Sequence, residues 1–374
     1  MRVAEFFAGI GLVRKALEDN GMTVVWANDN DAKKLSMYEK NFDATDFCLR
    51  DVCDVCGDEI PDIDLATASF PCTDLSLAGN RVGLHGKQSS TFWEFTRIIE
   101  EMAERRPSAI LLENVPSLAT SRGGQDLYII VRCLNQLGYT CDLLVVDARY
   151  FVPQSRPRLF VVGSREPLSS PGTWAPSTIR PSWVQQFVSR YPDLQMNALD
   201  MSIEQTISPS LNNVVERLNP ADIRWWDQRR YERFVAELSE VQTLRLRSME
   251  LSPWPTWATA YRRTRNGKPA WEIRSDSISG CLRTARGGSS KQAVVEARDG
   301  VSRVRWMTAV EYAQLQGAGD YNLTGVLENQ ALFGFGDAVC VPAVAWVARE
   351  YLVPLLNLEI TVRKEAPLEE LSLV

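Results

Sequence analysis

Cys72 lies in Ser69-Phe70-Pro71-Cys72-Thr73-Asp74-Leu75-Ser76, directly after an apolar run from Ile63 to Ala68. A chain that leaves a buried strand and meets a proline presents its next side chains at the sheet edge. A thiol there can act as a nucleophile once a helix N-terminus or a cation stabilises its thiolate. A second apolar strand, Ala109 to Leu112, ends in Glu113-Asn114-Val115-Pro116. Burial at a strand end favours the protonated carboxyl, so Glu113 is expected to donate as well as accept a hydrogen bond. Arg156 and Arg158 flank Pro157 at the entry to the strand Leu159 to Gly163. Side chains two positions apart on a strand share a face, which makes this pair a fork for an anionic or carbonyl-rich ligand.

A different chemistry is suggested at the N-terminal end. The strand Val3 to Phe7 runs into Ala8-Gly9-Ile10-Gly11, a helix from Leu12 to Asn20 follows, and Gly21 suits its C-cap. The next strand, Thr23 to Ala27, ends in Asn28-Asp29-Asn30-Asp31, with Asp29 standing 18 residues beyond Gly11. Glycines that let a ligand approach the backbone, followed by an acid for ribose hydroxyls, are how a doubly wound sheet binds a nucleotide-like cofactor.

Alternating elements must position these groups. Asp51 follows the next helical segment, Asp64 lies within the strand leading to Cys72, and the glycine-rich stretch Leu77 to Ser90 reads as a lid loop. Helices are expected over Phe92 to Glu104 and Gln125 to Leu137, the second closed by Gly138, and a strand over Leu143 to Asp147. This alternation predicts a parallel sheet covered on both faces. From Glu166 the texture changes to a proline-marked linker and then to Arg- and Trp-rich chain, including Arg224-Trp225-Trp226, Trp254, Trp257, Arg262-Arg263 and Trp271. Such interleaving suits contact with bases and backbone, and Arg283-Thr284-Ala285-Arg286-Gly287-Gly288-Ser289-Ser290-Lys291 is the best local candidate for a nucleic-acid loop. Near the end, Thr308-Ala309-Val310-Glu311 opens a helix to Gln316 with a capping box, Phe333 to Val339 reads as a glycine turn, and an apolar helix runs from Pro342 to Leu352.

Composition bounds these readings. The 374 residues are 45% hydrophobic and 24% charged, ordinary for a globular protein of one or two cores. No apolar run approaches the roughly 18 residues of a membrane span, and the N-terminus resembles neither signal nor transit peptide. A cytoplasmic protein is expected, with its eight cysteines kept as thiols. Cys48, Cys53 and Cys56 match three ligands of an iron–sulfur pattern, but no fourth cysteine follows at a fitting distance, so no metal is expected. His85, the single histidine, removes most histidine-dependent hydrolase schemes. The net charge of −6 conceals a partition, because residues 165–305 carry 21 Lys and Arg against 15 Asp and Glu. Nineteen of those 21 cations are arginines, which favours bidentate contacts with phosphate and guanine.

Taken in order, these motifs resemble the bacterial DNA (cytosine-5)-methyltransferases over almost the whole chain. Phe7-Ala8-Gly9-Ile10-Gly11 is similar to the cofactor loop, Ser69-Phe70-Pro71-Cys72 to the nucleophile motif and Glu113-Asn114-Val115 to the acid motif. Gln154-Ser155-Arg156-Pro157-Arg158 is similar to the paired-arginine motif, Arg305 to Gln316 to the brace of the recognition domain, and Phe335-Gly336-Asp337-Ala338-Val339 to the closing motif. The resemblance implies a Rossmann-like α/β sheet dependent on S-adenosylmethionine, with a second, smaller target-recognition domain. It also implies base flipping, with Cys72 adding to the cytosine, Glu113 bonding the ring, Arg158 and Arg156 orienting base and acid, and Asn114 and Pro71 shaping the pocket. For the cofactor it implies Phe7, Ala8, Gly9, Gly11, Asp29, Asn30, Asp51, Val52, Phe70, Asp337 and Ala338. Two departures stand out: Asn30 replaces a frequent aromatic, and Asp337 replaces an asparagine near the methionine end, putting a carboxylate close to the cofactor's own unless it turns away. Ser76, Arg283, Arg286, Gly287, Gly288, Ser289 and Lys291 are the candidate DNA contacts.

The expected division is a catalytic domain over 1–166, a target-recognition domain over 167–327 and a segment over 328–374 that completes the catalytic domain. The expected partners are double-stranded DNA and a restriction or defence component, for a monomer that needs neither metal nor membrane. Three rival readings are an RNA cytosine-5 methyltransferase, a catalytically silent DNA-binding regulator and a nicotinamide-dependent oxidoreductase. The long arginine-rich insert favours duplex DNA over RNA, the intact Cys72, Glu113 and Arg158 argue against a silent regulator, and the glycine loop alone supports the third.

Overall fold

The computed structural model describes residues 1–70, 91–166, 172–204, 209–284 and 290–357. Pro71, Cys72, Ser76, His85, the expected lid Leu77 to Ser90, and Arg286, Gly287, Gly288 and Ser289 lie outside the described residues.

Seven strands form the main sheet: β1 (Arg2–Phe6), β2 (Thr23–Asp29), β3 (Phe47–Leu49), β4 (Leu65–Ala68), β5 (Ala109–Asn114), β6 (Thr140–Asp147) and β7 (Pro157–Ser164). Their order is β3-β2-β1-β4-β5-β7-β6. Alternating side chains supply a core on each face. Val3, Leu65, Ala109 and Leu111 belong to one, while Ala4, Phe6, Ala66, Ala68, Ile110 and Leu112 belong to the other. Helices α1 (Leu12–Glu18) and α2 (Ala32–Tyr38) contribute to the first core. Helices α3 (Thr91–Glu101), α4 (Gln125–Gln136) and α5 (Ser182–Arg190) contribute to the second.

The sheet is not wholly parallel. β7 runs antiparallel to both β5 and β6. Only Ala148 to Arg156 separate β6 from β7, a link in which the single 3-10 turn Ala148–Tyr150 replaces a crossover helix, so the two strands pair as a hairpin.

The smaller lobe consists of helices α6 (Gln228–Ala236) and α7 (Glu240–Glu250) with strands β8 (Thr256–Arg265), β9 (Lys268–Ile273), β10 (Ala293–Arg298) and β11 (Val301–Trp306). The strands are antiparallel in the order β11-β10-β8-β9. Its own core holds Phe234, Leu246, Ala258, Trp271, Val295 and Val304, with Trp226 and Trp306 packed against it. Trp226 and Trp271 are therefore packing groups rather than base contacts, because indoles bury more apolar area than this small lobe can spare. Trp254, by contrast, is largely exposed. Ile179, Leu211, Tyr312 and Tyr321, expected in the second lobe, pack into a main-sheet core.

The chain returns through α8 (Ala309–Leu315), α9 (Glu328–Asp337) and α10 (Val341–Val347), the last continuing as a π-helical turn over Ala348–Leu352. Thr308 caps α8 in the expected capping box with Glu311. The glycine turn expected over Phe333 to Val339 is instead helical as far as Asp337. Gly334 and Gly336 serve close packing: a Cβ at Gly334 would stand 2.9 Å from Ile10 Cγ2, and one at Gly336 would stand 2.5 Å from the Arg283 backbone. Glu328–Asn357 is long and apolar enough to cross a membrane by length and composition, and 72% of its most apolar window is buried within the molecule. Burial against the main sheet accounts for that apolarity.

Candidate active site

Parallel register brings four strand ends to one edge. Phe6 pairs with Asn28 and with Ala68, and Ala68 pairs with Leu112. The glycine loop after β1, Asp29 at the end of β2, Ser69-Phe70 after β4 and Glu113-Asn114 at the end of β5 therefore emerge together. The sheet order reverses between β1 and β4, the position where open α/β sheets bind ligands.

On the acid side, Arg158 Nε lies 2.8 Å from Glu113 Oε1, with both side chains largely buried. Glu113 is thus an ion-paired carboxyl rather than the isolated desolvated one that its strand suggested. Asn114 Nδ2 donates to the Phe70 carbonyl at 3.0 Å and fixes the backbone where β4 leads toward Pro71. Arg156 and Arg158 do not act as a fork on one ligand. Arg156 is fully buried and donates to the carbonyls of Leu282 (2.7 Å), Gly336 (3.3 Å) and Ala338 (2.5 Å). Pro157 opens β7, so Arg156 precedes the regular strand and escapes its alternation. Burial pushes the Arg156 guanidinium's pKa down, and the neighbouring Arg158 adds to the shift.

The sequence did not single out Cys281, which sits beside both arginines, with its Sγ 3.3 Å from Arg156 Nη1 and 3.9 Å from Arg158 Nη2. Burial alone would raise this thiol, but the two guanidiniums outweigh it and lower its pKa. Gln154 completes the support: its Nε2 donates to Leu315 O at 2.7 Å and its Oε1 accepts from Leu282 N at 3.0 Å. Gln316 Nε2 donates to Phe335 O at 2.6 Å. These ties join the paired-arginine segment, residues 281–282 and α9. No local pattern announces them, because each partner comes from a distant part of the chain.

On the glycine-loop side, Phe7 and Gly9 both have φ of 59° and Gly11 has 81°. A Cβ on Gly11 would run into the rings of Phe42 and Tyr38, whereas one on Gly9 would meet nothing nearer than the Phe7 carbonyl at 3.9 Å. The space over Gly9 is open to a ligand. Asp29 Oδ2 accepts from Gly9 N at 2.9 Å and its Oδ1 accepts from Asp31 N at 3.0 Å, so the acid also shapes the loop. Asp51 accepts from Cys53 N at 3.0 Å, a backbone donor that lowers its pKa, and Asn30 Nδ2 reaches it at 3.4 Å. Ala8, Val52 and Phe70 are buried in the two cores. Behind the loop, Glu5 is wholly buried and accepts from Arg14 N, and burial raises its pKa to about 8.

Asp337 accepts a hydrogen bond from the Thr284 hydroxyl and stands 3.9 Å from Lys34 Nζ. Arg283 is exposed, and Lys291 Nζ donates to Asn329 Oδ1 at 2.9 Å. Arg305, at the end of β11, is fully buried in a bidentate pair with Glu311, and its Nη2 also reaches Glu216 O at 2.9 Å. This pair braces the small lobe against α8. Among the described residues, no group of His, Cys, Asp and Glu could hold a metal ion.

Comparison with known proteins adds three findings. The family model described as C-5 cytosine-specific DNA methylase matches residues 1–352. The Type II methyltransferase M.HaeII of Haemophilus aegyptius is 36% identical over 163 residues, covering 43% of this chain and 50% of that protein. M1.ScrFI of Lactococcus lactis subsp. cremoris, also a Type II methyltransferase, is 25% identical over 356 residues, covering 94% and 78%. The chain spans about half the length of the first curated relatives it matches. Among solved structures, the S. pombe Dnmt2 methyltransferase superposes with a TM-score of 0.61 at 16% identity, covering 95% of this chain and 99% of that one, a likeness of fold.

Proposed function

The chain belongs to the C-5 cytosine-specific DNA methylases, and from that premise we propose that it transfers a methyl group from S-adenosylmethionine to C5 of a cytosine in duplex DNA. The observation that carries this reading is the convergence at one sheet edge of the open glycine loop, the backbone leading to Cys72 and the Glu113–Arg158 pair.

The residues fit such a cofactor. Gly9 leaves room for close approach, Asp29 stands where ribose hydroxyls would lie, and Asp51 is held by a backbone donor at the neighbouring strand end. When bound, S-adenosylmethionine supplies an electrophilic methyl group on a sulfonium. The chain's own residues make the pyrimidine able to accept it. Cytosine C5 is a poor nucleophile within the aromatic ring, so the Cys72 thiolate adds at C6 while the Glu113 carboxyl shares a proton with N3 and accepts from the exocyclic amine, which takes up the negative charge that the addition brings to the ring. Arg158 holds Glu113 in place for that contact. Once C5 carries the methyl group, water takes the C5 proton, the electron pair left behind re-forms the C5–C6 double bond and expels Cys72 as thiolate, and N3 returns its proton to Glu113. Arg156 clamps the floor of the site through backbone carbonyls, which leaves the direct hold on the acid to Arg158. A base inside a duplex is out of reach of this edge, so it must be flipped out.

The small lobe serves as the target reader, with Arg283 and Lys291, and with Ser76, Arg286, Gly287, Gly288 and Ser289 from outside the described residues, as the DNA-facing set. The proposed division keeps residues 1–166 and 328–357 with the main sheet and assigns recognition to the lobe around β8–β11, within 167–327. A place in a restriction–modification pair belongs to the same proposal, supported by relatives that are Type II methyltransferases.

Tritiated methyl transfer onto duplex DNA and onto transfer RNA, with bisulfite sequencing of DNA from expressing cells, tests this reading. Methylation of cytosine at defined DNA sites, lost in Cys72→Ser, is expected. Transfer to RNA alone, or full activity in Cys72→Ser, would overturn it.

A further inference from the structure

Lys34 plays no part in the site as read from sequence, yet its ammonium stands between two acids of the cofactor cleft. Its Nζ lies 3.7 Å from Asp29 Oδ2 and 3.9 Å from Asp337 Oδ2. These acids come from the end of β2 and the end of α9, some 300 residues apart in sequence. Asp29 is nearly buried, Lys34 is mostly buried, and Asp337 is about half-exposed. The Lys34–Asp29 contact is therefore screened less than an ordinary surface pair, while the Asp337 side faces solvent. The arrangement is built rather than incidental. Gln330 Nε2 on α9 donates to Lys33 O and to Ser36 Oγ, both at 2.8 Å, and Gly334 lets α9 approach Met37 of α2. Asp337 is further held by the Thr284 hydroxyl. Without the ammonium, two carboxylates would face each other across the cleft. Each would repel the other and any carboxylate brought in by a ligand.

We propose that Lys34 is a positioning residue of the cofactor pocket: its shared ammonium cancels the second acid, Asp337, and keeps Asp29 on the Gly9 N–H, so that the pocket accepts a ligand with an amino-acid end. This rests on the reading that the cleft binds S-adenosylmethionine. The sulfonium plays no part in it, so S-adenosylhomocysteine must respond to Lys34 in the same way.

The test is calorimetric titration of S-adenosylmethionine and S-adenosylhomocysteine into wild type, Lys34→Ala, Asp337→Asn, the double variant and Lys34→Arg. Lys34→Ala should weaken both ligands about five- to tenfold when Asp337 is present and less than about twofold when Asn replaces it. Lys34→Arg should stay within about twofold of wild type. Ligand-free melting temperatures should agree within about 3 °C across the set, so that the affinity changes report the pocket rather than the fold. An equal loss in both backgrounds, a gain in affinity, or a loss confined to the sulfonium ligand overturns the role of Lys34. Failure of wild type to bind either ligand overturns the cofactor reading itself.

Discussion

The interior of the main lobe and the face of the small lobe handle charge in opposite ways. In the main lobe's interior and at its joint with the small lobe, the ionic groups are enclosed: Arg156 among carbonyls, Arg180 with Asp142, Arg305 with Glu311, and the largely buried Arg158 with Glu113. Pairs such as Arg50 with Glu59 and Arg97 with Glu101 stay at that lobe's surface. In the small lobe the pairs lie at the surface, as with Arg265 and Arg263 on Glu272 and Arg274 on Asp276. An enclosed pair costs desolvation, tolerates only one geometry and fails badly when half is removed. An exposed pair contributes little stability, and its cation can exchange a carboxylate for a phosphate oxygen. Chemistry needs the first arrangement, and a surface that grips and releases a polyanion needs the second.

The sharpest break of this contrast is at the enclosed acid. Glu113→Gln keeps the shape but gives up proton sharing, so kcat for methyl transfer should fall by about 10²- to 10⁴-fold with cofactor affinity nearly unchanged. Steady-state kinetics beside cofactor titration would check it. Next, Arg305→Met leaves the Glu311 carboxylate buried without its partner and should cost about 3–5 kcal/mol, read from urea unfolding. Adding Glu311→Leu should recover part of that loss.

Glu5 gives the enclosed class a pH signature. Its folded pKa, raised to about 8 by burial, exceeds the ordinary carboxylate value. The folded state thus holds a proton that the unfolded chain has released, and stability falls as pH climbs from about 4.5 through 8. Wild type should therefore lose a few kcal/mol over that range relative to Glu5→Gln, whose melting temperature should vary less with pH. The smallest effect belongs to the exposed class. Arg265→Gln should change stability by under about 1 kcal/mol, yet lower the slope of log affinity for DNA against log salt by about one if that cation meets a phosphate. A stability loss as large as that of Arg305→Met would erase the contrast.

Much of the fold was legible before the structure because it is written in local terms. Alternating apolar runs marked the strands, Gly9 and Gly11 marked a backbone that only a left-handed turn allows, and Thr308 with Glu311 announced a helix start. The order of these signals along the chain also carried the resemblance, and with it Cys72, Glu113 and Arg158. Periodicity says which face a side chain takes inside an element, so it misled where an element had not yet begun. Arg156 stands just before β7 and turns to carbonyls from residues 282, 336 and 338. Gly334 and Gly336 looked like a turn because close packing and a chain reversal both call for glycine, and only the neighbours Ile10 and Arg283 decide between them. Cys281 and Lys34 gave no signal at all. Their surroundings are assembled from segments far apart in sequence, and an electrostatic environment is a property of distances in space that spacing along the chain does not encode.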